Sequence, residues 1–375
     1  MNRRDFLKAS AAGLAGIGLS SIPAAPLEAK DRNSYNLIIL GDTHFDTEPA
    51  SVYHAHYNEP TEWLNRVQRA EFARNGEMWR ERCPRLIKRA ACLVDSDTRQ
   101  VIQMGDLIQG DCGNGEVHRK MLDDVMNSFK ASFGGQLPFV LTVGNHDIRG
   151  VDARAVCHEY VPARMSEELG KPITKTTFGY SIGPDAYIVV DFNTPEDDVT
   201  ESLLEQYKGA RHTFIVVHGP VFPFDGSSCR WFYHGSNKPE QTEARLHFRR
   251  EFARRNAIVL CGHVHRTELA DWFGDGGRIT QMTFNSVWSK PELDRYEIIA
   301  EGPDSYGVLR KDMKCDDGKP IEDETPLFDD YRRGLRRYSV SKAAGSYKLY
   351  VSRRRIWVDF YAGDSSFLTQ RFQLR

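Results

Sequence analysis

Beyond residue 30 the 375-residue chain has no apolar run of transmembrane length. That excludes a spanning helix from the mature sequence, which is expected to be soluble. Charge of one sign is also missing. The 50 Lys and Arg nearly balance the 52 Asp and Glu, for a net charge of −2. Bulk charge therefore implies no nucleic-acid partner. Cysteine is scarce and odd in number: seven, at positions 83, 92, 112, 157, 229, 261 and 315. No pair has zinc-finger spacing, so the cysteines read as core or reduced thiols. A disulfide made after export stays open, with no readable connectivity. Internal repeats and low-complexity tracts are absent too. What remains is a globular composition, 40% hydrophobic and 27% charged. The length permits one large domain or two small ones.

The N-terminus departs from that composition. "MNRRDFLK" is basic and precedes an Ala-, Gly- and Leu-rich stretch from Ala9 to Ile22. The stretch is too short to span a bilayer comfortably and reads as the apolar part of a signal peptide. Arg3 and Arg4, followed by Phe6, Leu7 and Lys8, resemble the twin-arginine export signal. A general secretory signal with a chance arginine pair is the alternative. Cleavage is expected between Pro23 and Lys30, with Ala29 a suitable last residue. No cysteine lies nearby, so no lipid anchor is expected. Residues 1–29 are thus assigned to an export signal peptide, and the mature protein to the periplasm or another exported location.

Short apolar runs then recur, each ending abruptly in polar residues. "YNLIIL" runs into Gly41–Asp42, "RQVIQM" into Gly105–Asp106 and "PFVLTV" into Gly144–Asn145. "RHTFIVV" runs into His218–Gly219 and "AIVLC" into Gly262–His263. Their length and continuous apolarity predict central strands covered on both faces. Helical stretches are predicted between them, over roughly Glu62–Asp95, Glu116–Phe133, Ala153–Glu168 and Thr242–Asn256. That alternation gives an α/β class. "GYSIG" and "AYIVVDFN" add strands across a Gly-Pro-Asp turn. After about Pro303 a polar excursion precedes "SYKLYVS", "RIWVDFYA" and "FLTQRFQL", which alternate as strands do.

In α/β sheets ligands gather outside the carboxyl ends of strands. Five such ends here carry side chains able to bind a metal. They hold Asp42 with His44, then Asp106, then Asn145 with His146, then His218, then His263 with His265. Any one is weak; five in order, most beside glycine, form a strong signal. If the last strand stays extended past Cys261, His263 and His265 project from one face.

The series "GDTH", "GDLIQG", "GNHD", "VHGP" and "GHVH" resembles the motifs of calcineurin-like metallophosphoesterases, spanning Asp42 to His265. The resemblance implies a layered α/β/β/α sandwich over residues 30–302. Residues 303–375 become a C-terminal extension with β-strands, packed on the same domain. It also implies two divalent or mixed-valence transition-metal ions, iron, manganese or zinc. Asp42, His44 and His265 would hold the first ion. Asn145, His218 and His263 would hold the second, and Asp106 would bridge them. His146 matches the histidine that stabilises the transition state or protonates the leaving oxygen. Its alternative is a histidine that only orients a neighbour. The implied activity is hydrolysis of small-molecule phosphomonoesters or phosphodiesters by metal-activated water.

Gln109 departs from the phosphoprotein-phosphatase subgroup, which has aspartate there to pair with the catalytic histidine. An amide cannot stabilise imidazolium as a carboxylate does. Asp111 or Asp147 is the candidate substitute. Arg149 could meet a phosphate oxygen or serve a loop ion pair. The stretch "PVFPFDGSSCRWFYHGSNKPEQ" reads as a rim that places Arg230, Trp231, Tyr233 or His234 near the leaving group, or as a plain surface loop. His54, His56 and Tyr57 are weaker candidates for the same cleft. A non-catalytic binding protein on this scaffold is the competing function, and loss of a ligand would favour it. A metallo-β-lactamase-type site needs an H-x-H-x-D-H run, which is absent.

Overall fold

The computed structural model describes residues 33–46, 70, 77, 79, 81–227, 230–286, 295–312 and 324–375. The signal segment, His54, His56, Tyr57, Cys229 and Cys315 lie outside them.

Two sheets carry the fold. The first has strand order β14-β13-β12-β1-β2-β3. Its members are β1 (Tyr35–Leu40), β2 (Thr98–Gln103), β3 (Phe139–Leu141), β12 (Gly345–Val351), β13 (Ile356–Ala362) and β14 (Gln370–Gln373). β1, β2 and β3 are parallel, whereas β12 pairs antiparallel with β1. The second sheet has order β10-β11-β8-β9-β7-β6-β5-β4. It contains β4 (Phe178–Ile182), β5 (Asp185–Val190), β6 (Thr213–Val217), β7 (Ile258–Cys261), β8 (Thr267–Gly274), β9 (Gly277–Thr283), β10 (Ile298–Glu301) and β11 (Leu335–Ser341). β5, β6, β7 and β9 form its parallel centre.

Period-two alternation sorts the core. Tyr187, Val189, Phe214 and Val216 face inward and share one cluster with Leu37 and Ile39 of the first sheet. Their neighbours Ile188, Val190, Ile215 and Val217 face outward, with Leu204, Phe248 and Phe252. Leu204 belongs to α4 (Asp197–Gln206), and the two phenylalanines to α5 (Pro239–Arg254). The first sheet is covered by α1 (Cys83–Ala91), α2 (Gly115–Ser132) and α3 (Ala153–Leu169). α6 (Thr325–Gly334) lies against the second. The result is an α/β/β/α sandwich.

Local chemistry sets the boundaries. The Asn114 side chain accepts from Val117 N at 2.9 Å and caps α2. Asp275 and Gly276, at φ 53° and 85°, form the two-residue turn of the β8–β9 hairpin. The five described cysteines form no disulfide; Cys92 is exposed and the other four are buried. No helix among the described residues is long and apolar enough to cross a membrane.

Candidate metal centre

The carboxyl ends of β1, β2, β3, β6 and β7 converge at one end of the sandwich. The loops after β1 and β2 stay joined: Thr43 N and His44 N donate to Asp106 O at 3.0 and 2.8 Å. Two groups of donors form, each with ligand atoms within 4.8 Å of one another. One is Asp42, His44, Asp106 and His265; the other is Asp106, His218 and His263. Asp106 belongs to both. Asn145 joins the second, its Oδ1 lying 3.2 Å from His218 Nε2. All seven predicted donors are therefore brought together.

The histidine pair reaches its places by a different route from the one expected. β7 ends at Cys261, and His263 and His265 adopt φ of 69° and 48° on either side of Val264. The strand does not continue, so alternation is not what aims them. His44 and Asp106 also lie in the left-handed region, at 44° and 49°. Non-glycine residues rarely hold that conformation, and such strain concentrates at functional sites. His263 Nδ1 lies 3.1 Å from His218 Nε2. His265 Nε2 lies 3.0 Å from Asp42 Oδ2 and 3.1 Å from His44 Nε2.

The polar partners show what the cluster requires. His218 Nδ1 is 2.6 Å from the Met104 carbonyl, so it donates there. His218 Nε2 then faces Asp106 Oδ2 at 3.3 Å, Asn145 Oδ1 at 3.2 Å and a second imidazole nitrogen. A lone pair among buried oxygens is repulsive unless a proton or a cation stands between them. Burial pulls the His218 pKa down, but the Asp106 and Asp42 carboxylates outweigh it and raise it to about 9. His44 and His263 go the other way: burial, then neighbouring imidazoles, holds both well below the usual value. Asp106 stays ionised despite burial because His218 and His146 surround it. Imidazoles, which give up any proton when a cation binds, with two carboxylates and an amide oxygen, fit a transition-metal cation better than calcium.

Close packing fixes this geometry. A Cβ on Gly262 would sit 2.3 Å from Asp42 Oδ1. One on Gly105, at φ 88°, would sit 2.5 Å from His218 Nδ1.

His146 stands beside the donors, its ring centroid 4.5 Å from that of His44. Arg149 Nη1 donates to its Nε2 at 3.2 Å, so Nδ1 carries the hydrogen and donates to Gln109 O at 2.8 Å. Arg149 Nε in turn donates to Asp111 Oδ2 at 2.7 Å. Asp111 thus reaches His146 only through Arg149. The Asp147 carboxylate accepts from Ile108 N and Gly144 N and shapes the loop. Gln109 Oε1 lies 3.0 Å from His44 Nδ1 and orients that ring instead.

Among the described rim candidates, Trp231 is the one that stacks on the cluster, on His263, with centroids 5.1 Å apart and planes 13° apart. His234 is buried between Asp197 and Gln241, at 3.0 Å from each. Tyr233 is packed against Phe248, and Arg230 is paired with Glu324. Phe192, which sequence reasoning passed over, lies 5.5 Å from the His218 ring and 5.6 Å from the His263 ring. Its position after β5, in "VVDFN", was the available signal.

Residues 35–267, more than half of the chain and inclusive of every donor above, match the family described as Calcineurin-like phosphoesterase. Among solved structures the chain is similar to PhoD, at 10% identity and TM-score 0.49, covering 90% of this chain and 68% of that one. It is also similar to GAP50, the anchor in the inner membrane complex of Plasmodium, at 11% identity and TM-score 0.43, covering 92% and 89%. No curated protein gives a significant match.

Proposed function

The chain belongs to the calcineurin-like phosphoesterase family, and from that premise we propose that it is a metal-dependent hydrolase of small-molecule phosphomonoesters or phosphodiesters. The observation that carries this reading is Asp106, a buried carboxylate shared by two groups of nitrogen and oxygen donors. Asp42, His44 and His265 are assigned to one ion, Asn145, His218 and His263 to the other, and Asp106 to both. Iron, manganese and zinc suit these donors. Two such ions would supply Lewis acidity to a phosphoryl oxygen and to the attacking water.

The chain's own residues do the positioning. Gln109 and the Met104 carbonyl fix the His44 and His218 rings through their Nδ1 atoms. His146 and Arg149 stand together at one flank, where they can meet a phosphoryl oxygen. His146 Nε2 accepts a hydrogen bond here and carries no proton, so to protonate a leaving oxygen it must first lose Arg149 and take up a proton at Nε2 from solvent.

The test is a paired monoester and diester screen on metal-reconstituted protein, with elemental analysis alongside. Turnover with about two ions per chain is expected; two ions without turnover would leave a binding protein on this scaffold. Export is proposed on residues 1–29 alone. Replacing Arg3→Lys and Arg4→Lys together should leave precursor in the cytoplasm, and unchanged export would point to the general secretory route.

A further inference from the structure

We propose that Trp231 is a stacking platform that makes the site prefer phosphate esters of a planar aromatic group, a nucleobase-bearing or aryl moiety; this rests on the phosphoesterase reading above. Trp231 is 46% exposed, in a turn whose other aromatic residues are buried. Phe232 and Tyr233 pack inward, and Tyr233 N donates to Pro220 O at 2.8 Å. Arg230 is tied to buried Glu324 and donates to Gly235 O at 3.1 Å. Glu324 is also held by Arg310 at 2.7 Å. The turn is therefore pinned on both sides of the indole, so the exposure belongs to a fixed side chain.

The indole lies nearly parallel to His263. Phe192 sits close to the same imidazole and to His218. The His218–His263 side of the donor cluster is thus aromatic, while the His146–Arg149 pair stands beside His44 of the other donor group. A phosphate ester has the same two halves, an anionic phosphoryl group and a leaving group. Seating the phosphoryl group at the donors with an oxygen toward Arg149 directs the leaving group to the Trp231 side. A flat ring gains dispersion and desolvation there, whereas a small polyol gains neither.

The competing explanation is that Trp231 only holds His263. The two differ in whether removing the indole changes selectivity. Equilibrium binding of adenosine 5′-monophosphate, phenyl phosphate and glycerol 3-phosphate to the metal-loaded protein separates them, with metal content measured in each variant. The wild-type protein should bind at least one aromatic ester about tenfold or more tightly than glycerol 3-phosphate. Trp231→Ala should bring the three affinities together at the glycerol 3-phosphate level, and Trp231→Phe should keep most of the preference. Equal weakening of all three ligands, a preference that survives Trp231→Ala, or no preference in the wild type would overturn the platform. Turnover of p-nitrophenyl phosphate and bis(p-nitrophenyl) phosphate is scored separately. Turnover without aromatic preference leaves the enzyme and removes the platform; preference without turnover does the reverse.

Discussion

At the scale of single residues, the site turns on one charge. Asp106 Oδ2 lies 3.3 Å from His218 Nε2 and 3.8 Å from His44 Nε2, while Oδ1 accepts from His146 N at 2.8 Å. Asp106→Asn keeps the shape and removes the charge that two cations share. Metal content and turnover should fall together, turnover by more than about a hundredfold, beyond what partners of metal ligands cost. Full occupancy with full turnover would end the bridging assignment. His146→Ala should behave differently. Its ring touches Gln109 O, Arg149 and the edge of His44, but no carboxylate of the cluster. Both ions should stay while turnover drops by about 10²–10⁴, the usual worth of a positioned acid–base group. Loss of metal measured by elemental analysis would instead make His146 a ligand.

At the scale of elements, the central strands were plain in the sequence because burial on both faces leaves an unbroken apolar run. β1, β6 and β7 are buried at every position. Helices α2, α3 and α5 fall within a few residues of their expected ranges, and Asn114 caps the first of them. The β8–β9 hairpin was missed although Asp275–Gly276 announces its turn. "TELADWFG" mixes charge into a buried strand: Glu268 and Asp271 are inside, and Asp271 is paired with Arg278 and Arg337. Such pairing is a tertiary fact that periodicity does not encode. The site was legible because the strand ends are rigid and local, but the left-handed turns at His263 and His265 were not. Those turns depend on Gly262 packing against Asp42. Gly262→Ala should therefore displace the carboxylate, lowering metal content and activity while far-ultraviolet circular dichroism stays native. Wild-type metal affinity in this variant would show that the loop yields at no cost.

At the scale of the whole molecule, the two sheets are joined by polar ties as well as apolar packing. Tyr35 OH donates to Asp185 Oδ2 at 2.9 Å, and Asn285 N donates to Tyr347 OH at 3.1 Å. β11 and β12 place the chain's last segment in both sheets, β11 beside β8 and β12 beside β1. That arrangement buries Glu268 of β8 completely. Thr283 Oγ1 donates to its Oε2 at 3.2 Å, and the titratable groups around it include Asp225, Cys261, Tyr306 and Tyr338. Burial, then the Asp225 charge, raises the Glu268 pKa to about 8. The unfolded chain titrates this group near 4.3. The folded state therefore binds the proton more tightly, and its advantage is complete only below the unfolded value. Stability should fall as pH rises from about 4.3 to about 8, by an amount on the order of a few kcal/mol. Glu268→Gln keeps an acceptor for Thr283 without the charge, so its unfolding midpoint should fall less over that window. Groups away from Glu268, including Asp147, which burial and Asp106 raise to about 7, titrate equally in both proteins, so the pH-dependent difference belongs to Glu268 and its coupling to Asp225. The difference between the two denaturation curves at pH 5 and pH 8.5, in matched metal, isolates Glu268. Identical pH slopes would mean that Glu268 meets water or a cation in the folded protein.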